Sequence, residues 1–170
     1  RSVHNSMTSR LLVDKIEGKS TTTSLDLSAV TNLQMPSGSV VQVVNTLSTL
    51  QRSTTSSSDT DTGITLDITP KFATSKLYFL FSARTYVDQG GREYIIKIKD
   101  GSNPVGGGAT LFDGGDRMAE ACTFQAFHEP NTTSTKTYKI THAVSGGTGY
   151  INVQSATDFP MHFTIMEITQ

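Results

Sequence analysis

Cysteine is nearly missing from this 170-residue sequence, and tryptophan is missing altogether. Cys122 is alone, so no disulfide can form within the chain. Stability must come from packing or from association with further copies. Charge is also sparse: charged residues make up 17% and the net charge is −1, against a usual charged share of about 25%. Without a Lys/Arg excess, a strongly basic nucleic-acid-binding face is excluded. Glutamate is scarce, which disfavours a helical bundle built on Ala, Leu, Glu and Lys. No apolar run approaches the ~18 residues of a membrane-spanning helix. The longest, Leu77 to Phe81, has the length of a strand, and no membrane insertion is expected. The opening Arg1-Ser2-Val3-His4-Asn5 lacks the apolar core of a signal peptide. It also lacks an initiating Met, as a fragment or a processed product would.

Serine and threonine fill the gap, at about a quarter of all residues. Uncharged polar residues interleaved with Val, Ile, Tyr and Phe favour an all-β chain. Residues 1–38 differ from the rest. Leu11 to Gly18 reads as one short strand ending in a turn. Lys19 to Ser24 has nothing to bury, and Leu25, Leu27, Val30 and Leu33 are thinly spread. Such a segment cannot form its own core. It reads as an extended N-terminal arm, shaft or attachment segment that orders against neighbouring copies, the alternative being a flexible linker. Met35-Pro36-Ser37-Gly38 is a turn signal and the expected boundary, leaving residues 39–170 as the folded domain.

From Ser39 onward β signals follow one another. Val40 to Val44 is apolar on both faces, and Ser53 to Thr62 reads as a polar loop. Ile64, Leu66 and Ile68 alternate with polar residues up to Pro70, the period of a half-buried strand. Leu77, Phe79, Phe81, Ala83, Thr85 and Val87 share one face of a long strand. Tyr94, Ile96 and Ile98 point inward from the next, so Leu77–Val87 and Glu93–Lys99 read as a hairpin around Gly90-Gly91. Asp100 to Gly115 is Gly-rich and reads as a loop, with a short strand near Leu111. Asp116 to Ala121 has local helix propensity. Phe124, Ala126 and His128 share a strand face, as do Tyr138, Ile140, His142 and Val144. Tyr150 to Gln154 and Met161 to Ile168 close the series. About eight strands with regularly spaced turns predict a jelly-roll-like antiparallel β-sandwich.

The first and last strands of the domain are apolar on both faces. A strand covered on both sides needs a second apolar surface beyond its own core. Val40–Val44 and Met161–Ile168 are therefore expected side by side, with further copies of the chain supplying the cover. Val41, Val43, Phe163, Ile165, Met166 and Ile168 form the expected oligomer interface; a thick monomer core is the alternative. Three-fold closure suits an elongated arm capped by a sandwich, so a homotrimer is expected.

Several segments carry a resemblance. They are Leu12 to Lys19, Leu33 to Val44, Asp61 to Ile64, Ile68 to Leu77 and Phe163 to Ile168. Together they resemble tail-fibre and related virion-appendage proteins of tailed bacteriophages, notably marine ones. These are strand and turn motifs in the first half of the chain and its last strand; Asp88 to Gly149 lies outside them. The resemblance implies a trimeric fibre on the virion exterior, ending in a β-sandwich that contacts the host surface. It also implies an arm that joins other virion proteins.

Catalytic patterns are missing. His4, His128, His142 and His162 lack zinc-site spacing, and there is no HExxH or Cys pair. His142, between Ile140 and Val144, reads as a core histidine, with a metal or anion on a three-fold axis as the alternative. No Gly-x-Ser-x-Gly elbow is present, and Cys122 reads as a small buried hydrophobe. Asp88, Asp113, Asp116, Glu120 and Glu129 could supply a glycosidase pair, but acids on surface loops are common. Asp59-Thr60-Asp61 lacks the glycine and distal glutamate of an EF-hand. Gly106-Gly107-Gly108 lacks the lysine of a P-loop and reads as a tight turn. No cofactor and no metal are expected.

Recognition of a glycan or protein asks for aromatic side chains beside polar groups. Tyr86, Arg92, Tyr94 and Tyr150, near the Gly90-Gly91 and Gly146-Gly147 turns, are the expected receptor contacts; sealing the sandwich ends is their alternative role. The sequence therefore predicts a non-enzymatic, trimeric virion fibre. A capsid-attached fibre or decoration protein, a secreted carbohydrate-binding module or adhesin, and a depolymerase are the other readings.

Overall fold

The computed structural model describes residues 35–112, 119–152 and 160–170. All belong to the second of two units into which the chain divides, Met35–Gln170. The proposed arm lies outside the described residues up to residue 34, and so do Asp113 and Asp116.

Ten strands run through the described residues: β1 Val40–Ser48, β2 Arg52–Thr54, β3 Thr60–Ile68, β4 Lys76–Val87, β5 Arg92–Asp100, β6 Asn103–Phe112, β7 Ala119–His128, β8 Lys136–Val144, β9 Gly149–Ile151 and β10 Met161–Ile168. All pairings are antiparallel. In the first sheet β4 is central. It holds β7 on one edge and β10, then β9, along the other. Beyond them lie β1, paired to β10, and β2, paired to β9. The second sheet has the order β3-β8-β5-β6.

Setting the short β2 and β9 aside, the long strands pair first with last (β1 and β10), second with seventh (β3 and β8), third with sixth (β4 and β7) and fourth with fifth (β5 and β6). That nested pairing defines a jelly roll. The core is the period-2 face of each strand. Leu77, Phe79 and Phe81 from β4 and Met161, Phe163 and Ile165 from β10 meet Tyr94, Ile96 and Ile98 from β5 and Tyr138 and Ile140 from β8. Phe79 and Tyr138 join the two layers edge to face, 4.8 Å between centroids.

Four local expectations are corrected. β4 and β5 are consecutive but do not form a hairpin. Both edges of β4 are taken by β7, β10 and β9, so Asp88–Gly91 carries the chain into the other sheet. The Gly-rich stretch is a strand, β6, rather than a loop. Its glycines are needed where the two sheets approach at their edge, since a side chain at Gly106 would collide with Ala126 of β7. The polar stretch after Ser53 holds part of β2 and the start of β3. Ala119 to Ala121 begin β7, because pairing along β4 overrides local helix propensity.

One buried carboxylate fixes the end of the sandwich at which β1 begins. Glu167 is fully buried. It accepts hydrogen bonds from the backbone N–H groups of Lys71 (2.8 Å) and Phe72 (3.0 Å) and from the Gln42 amide. Burial disfavours its charge, but these donors outweigh burial and hold its pKa below the ordinary glutamate value. Next to it, Thr169 accepts from Gly38 N–H through its carbonyl (2.9 Å) and donates its hydroxyl to the Pro36 carbonyl (2.6 Å). Glu167→Gln would turn an acceptor towards two fixed N–H donors into a weaker, half-mismatched partner. The expected loss is about 2 kcal/mol of stability, read from the urea midpoint. An unchanged midpoint would show that the carboxylate does not hold this loop.

Candidate interaction surface

Strand register places an apolar row across the outer face of the first sheet. Val43 of β1 is opposite Met166 of β10, which is opposite Tyr78 of β4, which is opposite Phe127 of β7. The Tyr78 and Phe127 rings pack at 4.9 Å. Val43 is 52% exposed and Phe127 62%. Val40, Leu47 and Leu80 are also exposed and extend the patch on the same face. Water meets these side chains on the isolated sandwich, at a cost of about 25 cal/mol per Å² of apolar surface.

The outer face of the second sheet has the opposite character. Lys97 and Lys99 converge on Asp59 at 3.0 and 2.6 Å, and Lys139 reaches Asp61 at 3.1 Å. Hydrogen bonding from Lys99, reinforced by Lys97, lowers the pKa of Asp59. The half-exposed Lys139–Asp61 pair adds little stability, whereas Lys99 and Asp59 are largely covered; together they give this face a charged character.

The expected interface residues divide between two environments. Val43, Met166 and Ile168 lie on the outer face, and Val41 is half-buried at a β-bulge opposite the end of β10. Phe163 and Ile165 are corrected: both are fully buried within their own sandwich, Phe163 against Phe79 and Phe81, and cannot meet another copy. Phe127 belongs to the surface and was not anticipated. Its signal was parity, because it falls between Ala126 and His128, whose side chains turn the other way.

The expected receptor contacts also divide. Tyr86 and Tyr150 are cross-strand partners with rings 5.5 Å apart, half-exposed where β4 ends. Arg92 opens β5 and lies over Gly146. Tyr94 is corrected. It is 1% exposed, its ring packs on Gly149, where a side chain would collide with it, and its hydroxyl meets Nδ1 of His142 at 2.6 Å. A core role for these two residues follows from period-2 burial. His142 is 2% exposed, and burial pushes its pKa down to about 4. Cys122 is buried in β7.

Among the described residues, no group of three or more His, Cys, Asp or Glu could hold a metal ion. No helix there is long and apolar enough to cross a membrane.

No family model and no curated protein matches the sequence. In structure the chain is similar to a chain of infectious bursal disease virus, Gt strain, with a TM-score of 0.42 and 10% identity, over 76% of this chain and 38% of that one. It is also similar to the VP2 subviral particle of that virus, with a TM-score of 0.40 and 11% identity over 75% and 37% of the two chains. A mutant VP2 protein of the virus in derived particles gives 0.41 and 10%, over 86% and 40%. The chain thus spans about two fifths of the length of these proteins. Its own strand order defines the jelly roll.

The buried groups set a pH dependence. The unfolded chain binds a proton at His142 below its ordinary pKa of 6.5, whereas the folded chain resists it down to about 4. Stability should therefore be constant above about pH 7 and fall as the pH drops from 6.5 towards 4, by up to about 3 kcal/mol. Glu167, with a folded pKa below the ordinary 4.5, adds a further loss below that value. Urea unfolding between pH 8 and 3 measures both steps, taking pH 8 and 3 as rough bounds of the titration range. A midpoint that is flat from pH 7 to 5 would contradict the first.

Proposed function

We propose that this chain is a non-enzymatic structural component of a virion, a homotrimeric fibre protein whose sandwiches associate through the outer face of the first sheet. The observation that carries the reading is the exposed row Val43, Met166, Tyr78 and Phe127, set against a charged opposite face. Patches of this kind on soluble domains mark interaction sites. A second copy is the natural occupant, since a row that contains Met, Val, Phe and Tyr can pack against its own equivalent. The resemblance of Leu33 to Val44, Ile68 to Leu77 and Phe163 to Ile168 to tail-fibre proteins supports the trimer and the external location.

The two ends of the sandwich suit different tasks. Pro36 and Gly38 lead into β1 beside Thr169 at one end. Residues 1–38 are proposed to connect to other virion proteins. Tyr86, Tyr150 and Arg92 lie towards the opposite end, with Tyr86 roughly 33 Å from the start of β4. That end would face the host surface. A capsid-attached fibre or decoration protein would use the same sheet face. A secreted carbohydrate-binding module or adhesin is favoured only by the Tyr86–Tyr150 pair and would act as a monomer.

Light scattering on the full chain is expected to give three times the chain mass at micromolar concentration. Val43→Asp or Phe127→Asp should reduce it to the monomer mass and leave the urea midpoint of the isolated sandwich within about 0.5 kcal/mol, as exposed substitutions do. A monomeric native chain would refute the assembly.

A further inference from the structure

The outermost strand of a sheet has backbone N–H and C=O groups without a ladder partner on one side. Soluble proteins guard such edges with charge, proline, bulges or brevity. Most edges of this sandwich are guarded. β2 has three residues. β3 carries Asp61 and Asp67, with a register shift between Asp61 and Ile64. β6 begins with Asn103-Pro104, and its pairing shifts register at Ile98 and Lys99. β7 carries Glu120, and its Ala126 lies against Gly106 of β6, so these two edges close on each other.

β1 is the exception. β10 is its one strand partner among the described residues, so its other side is an end of the first sheet. Its nine residues, Val40 to Ser48, include no charge, no proline and no glycine. The one irregularity falls between Val40 and Gln42, which leaves Gln42 to Ser48 as a regular run. On that run Leu47 is 60% exposed, and Val43 and Asn45 are exposed beside it. The chemistry of a bare edge specifies its occupant, since a further strand supplies the missing backbone donors and acceptors.

The regular run is complementary to itself. Its central residue is Asn45. Antiparallel pairing about Asn45 sets Val43 opposite Leu47 of a second copy, Val44 opposite Thr46 and Gln42 opposite Ser48. Each pair joins residues of the same parity, so the exposed side chains of both copies fall on one face. No charges meet across the pair.

We infer that β1 pairs antiparallel with β1 of a second copy across a two-fold axis at Asn45, joining two first sheets edge to edge. Edge pairing runs within the plane of the sheet, whereas packing of the apolar row runs perpendicular to it. The inference therefore does not depend on the trimer, and both contacts can coexist. A contact of one short strand from each copy falls below the ~1,000 Å² of a stable interface. It is therefore weak, and fills at submillimolar rather than micromolar concentration.

Sedimentation equilibrium on the full chain at about 5 µM and about 500 µM tests the contact, and the apparent mass is expected to rise about twofold between them. Leu47→Lys, which places a charge on the edge, should abolish the rise and leave the thermal midpoint unchanged. Asn45→Cys reads the register. Directly opposed residues have Cα atoms about 4.5–5.5 Å apart, within reach of a disulfide. With copper phenanthroline in air, Asn45→Cys should give a disulfide-linked pair. Ser48→Cys should not, since its two copies would lie roughly 20 Å apart. Cys122 is buried and does not compete. Phe127→Asp, on the far edge strand β7, should remove face packing and leave the Asn45→Cys link intact, so the two contacts fail separately. Equal mass at both concentrations overturns the inference. So does an Asn45→Cys thiol that stays reduced, or equal linking of Ser48→Cys.

Discussion

The sandwich depends on a negative charge being kept where water cannot reach it. Glu167 is on the last strand, Lys71 and Phe72 are on the loop between β3 and β4, and Gln42 is on the first strand. A jelly roll must pair its first strand with its last and must also carry the chain from one sheet to the other between them. Both requirements meet at this carboxylate. An ionised group in a dry site is tolerated only with several donors around it. Glu167 therefore constrains the loop as much as the loop stabilises Glu167.

This cluster also draws together three distant segments of the chain. Three of the segments that resemble tail-fibre proteins are the ones that hold Gln42, Lys71 with Phe72, and Glu167. They are 125 and 96 residues apart along the chain at the two contacts, yet they form one cluster. These segments are thus a piece of framework. They bear on how the sandwich closes, while the Tyr86–Tyr150 pair lies elsewhere. A scaffold of this type can be kept while the far end changes, because function is placed on a fold rather than implied by it.

Core faces were legible because burial follows a period of two. Leu77 to Val87, Tyr94 to Ile98 and Tyr138 to Val144 read correctly from alternation alone, and so did the pairing of the two-sided end strands. Strand partners were not legible in the same way. An amphipathic strand followed by a short turn and a second amphipathic strand fits a hairpin and a sheet-to-sheet crossing equally well, and long-range pairing to β7 and β10 decided the matter. Glycine in β6 misled for a related reason. Locally it signals a turn, but here it serves close contact with Ala126, a residue 20 positions away whose position no local pattern reveals. At the candidate surface, both faces of β10 were assigned to the interface, although a strand can give only one face to its neighbour. Tyr94 was placed with the exposed tyrosines although it shares its face with Ile96 and Ile98.

The outer face of the first sheet holds its two features apart. Tyr78 and Tyr86 point the same way on β4, eight residues or roughly 26 Å from each other along the strand. Between them the same face passes through Leu80 to Ser82 and Arg84, so the apolar patch gives way to polar side chains before the tyrosine pair begins. Association over Val43, Met166, Tyr78 and Phe127 would bury the near part of the face and leave Tyr86 and Tyr150 at its rim. Contact with a ligand and contact between copies can then vary independently, since neither set of side chains lies within reach of the other.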